Sequence, residues 1–262
     1  MSGTGSGASA DKAIGRDTSP LNPENALEII KPPAAAEEKA YKAFKTFQSI
    51  SNEDLSRKAQ AGEDFLKKYP ATTYSSHVYS FLTVAYIQSG ALDKGLAAGE
   101  KDLQLNPQDY RTMAVLSQAI SRVINPSSPD AASQFAKAES FGKSAITGAA
   151  TLAKPDGMLD ADFAGLKNQI LNMAYGGLGL VDIHKKDYAN AISELQKAIT
   201  FGSNEDPTNF YLLGVANQNS HHYEQALAAF EKCAAVRGKL QPTCASAAAQ
   251  AKQSAAQQPP PK

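Results

Sequence analysis

The chain has 262 residues, 26 of them basic and 26 acidic, with 42% hydrophobic and 20% charged residues and no tryptophan. A net charge of zero with no basic stripe excludes recognition of nucleic acid through phosphate contacts, and no apolar run reaches the roughly eighteen residues needed to span a bilayer. The composition is that of a soluble protein with enough chain for one or two cores.

Residues 1–35 are rich in glycine and serine and contain Ser19-Pro20, Asn22-Pro23 and Pro32-Pro33, pairs that disfavour helix. They read as a flexible arm. The first residues lack the basic start and apolar stretch of a secretory signal. That leaves two placements, the cytoplasm or an exported protein whose targeting segment is missing from this sequence. Tyr41, Phe44, Phe47 and Gln48 then recur at the three-and-four spacing of an amphipathic helix over residues 37–50. Ser51 to Asp54 offer cap oxygens and negative charge to a second helix that ends at Lys68, before Tyr69-Pro70.

The next segment has Tyr79, Leu82 and Tyr86 on one helix, a turn at Ser89-Gly90, and a second helix over 92–105 closed by Asn106-Pro107. Gly95 and Gly99 interrupt that second helix. Each costs about 0.8–1 kcal/mol relative to alanine, so we expect close helix approach and a looser repeat here. A third pair begins at Tyr110, breaks at Asn125 to Pro129, and continues over 130–149. After a break at Lys154 to Gly157, a long helix over 159–185 begins a fourth pair. A fifth pair follows, then an alanine-rich helix over 242–251 and a disordered proline-rich tail at 253–262.

The last two pairs carry the same pattern. Leu178-Gly179, Tyr188, Ala191, Leu195 and Ala198 are followed by Leu213-Gly214, Tyr223, Ala226, Phe230 and Cys233, with Gly179 to Gly214 and Ala191 to Ala226 both 35 residues apart. A period in this range denotes a solenoid of paired helices that bury their apolar sides on one another. The expected fold is all-α, with helical repeats over 36–252 and the alanine-rich helix capping the last of them.

These residues resemble the tetratricopeptide repeat, most closely from Tyr175 to Ala198 and from Phe210 to Cys233. The resemblance implies a right-handed α-solenoid whose first helices line a concave groove, and a non-catalytic scaffold that binds a protein or peptide there. Phe65 to Pro70 and Tyr74 to Tyr79 are similar to repeats of bacterial envelope proteins, which implies a periplasmic or secreted setting, with a cytoplasmic one as the alternative. Chaperone-adaptor repeats grip a terminal carboxylate with lysines, an arginine and asparagines. The matching positions here are His77, Ser80 and Val84; Arg111, Ala114 and Gln118; Met173, Gly176 and Leu180; and Thr208, Tyr211 and Val215. Only Arg111 supplies charge, so that clamp is absent.

The expected groove residues are Arg111, Gln118, Arg122, Met173, Gly176, Tyr211, Gln218 and Asn219. Arg111 and Tyr211 are the expected anchors, because arginine and tyrosine most often dominate interfaces. A self-associating spacer of the cell envelope is the competing function. Cys233 and Cys244 are the only cysteines. They either bridge the last repeat to the capping helix, which requires an oxidising compartment, or pack reduced as small hydrophobes. His221-His222 lacks the short ligand pairs of a zinc site. Gly176 to Gly179 lies within a helix and is no phosphate loop. No metal or cofactor is expected, and no catalytic arrangement stands out.

Overall fold

The computed structural model describes residues 37–202 and 206–257. The expected N-terminal arm and the end of the tail lie outside the described residues. Eleven helices and no strand occur among those described. In chain order they are α1 (Glu38–Gln48), α2 (Leu55–Lys68), α3 (Ser75–Gln88), α4 (Leu92–Leu105), α5 (Tyr110–Val123), α6 (Ala131–Thr151), α7 (Asp160–His184), α8 (Tyr188–Phe201), α9 (Pro207–Asn219), α10 (Tyr223–Ala235) and α11 (Gln241–Gln257).

Local chemistry sets many of the boundaries. Asp54, Asp109, Asp187 and Asp206 each accept a backbone amide from the first turn of α2, α5, α8 and α9. That satisfies donors a helix start would otherwise leave unpaired. Three of the turns within pairs turn on a left-handed residue. Gly90 (φ 81°) supplies it after α3, while Lys186 (φ 61°) and His221 (φ 60°) occupy the same slot after α7 and α9. A side chain there costs roughly 1 kcal/mol against glycine.

The helices pack as consecutive pairs, α3 with α4 through α9 with α10. Successive first helices also touch, α3 with α5, α5 with α7 and α7 with α9, and so form an inner layer. The second helices lie outside it, each between its own partner and the next first helix. At Gly99 a β-carbon would lie 2.7 Å from Leu116 Cδ2, and at Gly95 one would lie 3.1 Å from the Thr83 carbonyl oxygen. The glycines therefore let α4 approach α3 and α5 closely at these two points, as expected.

The core is a chain of small clusters, as stacking requires. At the N-terminal end Phe44, Phe47, Phe65, Tyr74 and Phe81 interlock, with Phe44 stacked on Tyr74 at 5.0 Å. In the last repeats the small residues Ala191, Ala198, Ala226 and Cys233 are fully buried. The closing helix extends to Gln257, past the expected end at 251, and buries Cys244 and Ala251 on α10. Cys233 and Cys244 are joined as a disulfide with their Cα atoms 5.7 Å apart.

Candidate functional site: a cavity on the inner layer

A cavity of about 440 Å³ opens among the first helices of the N-terminal half. Its walls are Phe44, Phe47 and Gln48 of α1, His77 and Phe81 of α3, and Arg111 at the start of α5. The connection between α6 and α7 crosses its edge through Leu152, Pro155 and Met158, and α7 adds Leu166 and Ile170. Two features of the chain build this shape. Pro155 and Gly157 break the helix between α6 and α7. The aromatic stripe of α1 then brings its ring edges onto α3, with Phe47 edge-on to Phe81 at 5.3 Å and Phe44 5.8 Å from His77.

Arg111 dominates the electrostatics. It is 6% exposed, yet Nε and Nη2 have no hydrogen-bond partner. Burial lowers its pKa from the ordinary guanidinium range, and the charge of Asp109 opposes that shift. Asp109 does not pair with it, because its Oδ1 caps α5 by accepting the Thr112 amide at 2.8 Å. Lys58, on the cavity wall, donates to Asn52 Oδ1 at 2.7 Å and lies over the rings of Phe47 and Phe81. Gln48 contributes an amide oxygen that is buried and unpartnered.

A polar seam runs beneath the cavity. Ser80 and Thr112 hydroxyls lie 2.9 Å apart, and Ser76 donates to Asp102 Oδ1. Asp102 is fully buried and its Oδ2 has no partner. Burial, reinforced by the charge of Asp109, raises its pKa to about 8. A proton on Asp102 is therefore part of the folded state at neutral pH. Sequence reasoning does not single out Asp102. The available signal is its place on the buried face of α4, in register with Gly95, Ala98 and Gly99.

The expected groove residues do not form one surface. Met173 is 2% exposed and packs with Ala114, Val115 and Ile170, so it belongs to the core and not to a groove. Gly176 faces Asn209, whose Oδ1 would lie 2.6 Å from an added β-carbon, so its role is to let α7 and α9 approach. Tyr211 is half-buried against Phe230 at 5.8 Å and lies under the C-terminal cap. Asn219 is exposed and its amide donates to the Val215 carbonyl at 2.8 Å. Gln118 and Gln218 are half-buried, and Arg122 is exposed with Asp206 as the carboxylate in electrostatic reach. Only Arg111 of the eight lines the cavity.

Solved structures share this architecture. PilW, described as a widely conserved type IV pilus biogenesis factor, aligns at a TM-score of 0.55 and 14% identity over 86% of this chain and 93% of that one. TTC0263, a thermophilic tetratricopeptide-repeat protein of Thermus thermophilus, aligns at 0.52 and 15% identity over 83% of this chain and 99% of its own. The fold is tetratricopeptide-like. MamA from RS-1, as a double mutant, shares the same architecture at 0.52 and 15% identity, covering 75% and 93% of the two chains. No family model matches the sequence, and no curated protein matches it. Among the described residues of this tetratricopeptide-like array, no helix is long and apolar enough to cross a membrane.

Proposed function

We propose that the array is a non-catalytic scaffold that holds a protein or peptide segment against its inner helices. The observation that carries this reading is the inner-layer cavity, walled by Phe44, Phe47, Phe81, Leu166 and Ile170 with Lys58, His77 and Arg111 among them. Apolar walls with a few convergent polar groups are the usual make-up of a binding site.

The Cys233–Cys244 bridge favours a periplasmic or secreted setting, since disulfides persist in oxidising compartments. The likeness to PilW, described as a pilus biogenesis factor, is consistent with an envelope role.

Site-specific photocrosslinking tests the scaffold reading. A photoreactive residue at Gln118, on α5 of the inner layer, should capture a discrete partner in cells of the source organism. The same residue at Ser193, exposed on α8 of the outer layer, should capture far less. Equal yields from both positions would refute a groove. Crosslinks solely to a second copy of the chain would establish the self-associating spacer in its place.

A further inference from the structure

Resting on the scaffold reading for the role of the cavity, we propose that its resident occupant is part of this chain. The segment Leu27-Glu28-Ile29-Ile30 of the N-terminal arm docks there and competes with a partner for the site. Of the five leucines and isoleucines in residues 1–36, three fall in this tetrapeptide. It is therefore the part of the arm with the most apolar surface to gain by burial.

The point at which the arm joins the array lies close to the cavity. Glu37 accepts the Thr73 amide at 3.0 Å and the Thr73 hydroxyl at 2.6 Å, which ties residue 37 to the start of α3. His77 lies one turn further along α3 and Phe44 two turns along α1, and both line the cavity. At about 1.5 Å per residue, these wall residues are roughly 6 and 10 Å along their helices from that tie. The seven residue steps from Ile30 to Glu37 reach up to about 23 Å when extended, enough to bring Ile30 back over the wall. A segment tethered so closely acts at an effective concentration of roughly 1 mM. Contacts too weak to hold a free peptide at micromolar concentration are then sufficient.

The two surfaces are complementary in chemistry. The wall offers Phe44, Phe81, Met158 and Leu166 to leucine and isoleucine side chains. Its charged lining is Lys45, Lys58 and Arg111 against one carboxylate, Asp109, while the segment is flanked and interrupted by Glu24 and Glu28, with Lys31 the one base beside it. A positive wall attracts a segment of net negative charge. The same chemistry would serve a second copy of the chain. That copy, at micromolar concentration, presents its segment about a thousandfold more dilute than the tethered one, so the arm of the same molecule wins.

The test uses the purified full-length chain at about 1 μM, far below the effective concentration of the arm, with a photoreactive residue in place of Ile29. Mass spectrometry identifies the crosslinked peptides. Crosslinks should join parts of one chain and fall on the peptides that carry Phe44, His77, Phe81 or Met158. Leu27→Ser combined with Ile30→Ser should weaken docking by roughly tenfold or more, which lowers an occupancy near one half, and with it the yield, about fivefold. Both substitutions lie outside the described helices, so the array that forms the wall is left intact. The photoreactive residue placed at Ser6 should reach the wall far less. Crosslinks spread alike from Ile29 and Ser6, a yield unchanged by the two serines, or no crosslink to the wall overturns the proposal. So do crosslinks solely between chains, which would give the cavity to a second copy. The scaffold reading is judged separately. If Ile29 fails to reach the wall while Gln118 still captures a partner, the arm assignment fails and the scaffold stands. If Ile29 reaches the wall and Gln118 captures nothing, the arm holds the cavity and the scaffold reading fails.

Discussion

Replacing Arg111 with methionine should make the folded chain more stable. The guanidinium is buried, two of its donors are orphaned, and Asp109 attracts it without an ion pair. An orphaned buried donor costs roughly 1–3 kcal/mol, and exchanging buried charge for an apolar side chain of similar volume gains about 1–4 kcal/mol where the charge is poorly satisfied. Losing the attraction of Asp109 offsets part of that, so we expect a net gain of about 1–3 kcal/mol. For a domain of this size each kcal/mol shifts Tm by roughly 2–4 °C, which places the rise at about 2–12 °C. Urea titration followed by far-ultraviolet circular dichroism, with calorimetry alongside, reads it directly. A lower urea midpoint in Arg111→Met, at unchanged slope, would refute the reasoning, because it would mean that the guanidinium has a structural partner in the free protein.

Asp102 gives the fold a pH dependence of unusual sign. Its carboxyl has a pKa near 8 when folded and about 4 when unfolded, so between those values the folded chain holds one more proton. Stability is fully present below about pH 4 and falls as pH rises toward 8, by at most ~1.4 kcal/mol per pH unit. Asp102→Asn should flatten most of this slope in denaturation curves at pH 5 to 8, leaving the smaller contribution of Asp182, whose pKa burial raises to about 6. Gly165 has open space where a β-carbon would lie, so Gly165→Ala should stabilise by about 0.5–1 kcal/mol. In Gly214→Ala the new carbon would lie 2.4 Å from the Phe230 ring, and a loss of about 1–3 kcal/mol is expected in the same assay. Reducing the bridge that spans 11 residues should cost ~3 kcal/mol by the loop-closure estimate, seen as faster amide exchange in α11 when dithiothreitol is added.

Much of the architecture is legible in the sequence, because each pair repeats the same steric solution. The Leu178-Gly179 and Leu213-Gly214 steps and the second-helix alanines Ala191 and Ala226 reappear 35 residues apart, and the helices form where those signals place them. The cavity is far less legible. It depends on α1 lying against α3 and on the connection at 152–158 crossing the inner layer, and both are contacts between distant segments that no local pattern encodes. Met173 shows the same difficulty. Its place in the repeat pattern puts it on the inner face, but α7 is 25 residues long and its first half packs into α5 and α6. The pattern places Tyr211 on the inner face too. There α11 continues to Gln257, and the ring is enclosed in the contacts beneath it.

The bridge also sets the direction in which the molecule comes apart. Every hairpin rests only on the ones beside it, and the final hairpin alone is fastened to its cover by a covalent link. Thermal opening should therefore begin with α1 and its aromatic partners and move toward the sealed end, so the wall that carries Phe44, Phe47 and Gln48 is the first to swing away. A segment seated in the cavity would keep that hinge shut, and its presence would register as protection of the opposite terminus from the one that is stapled.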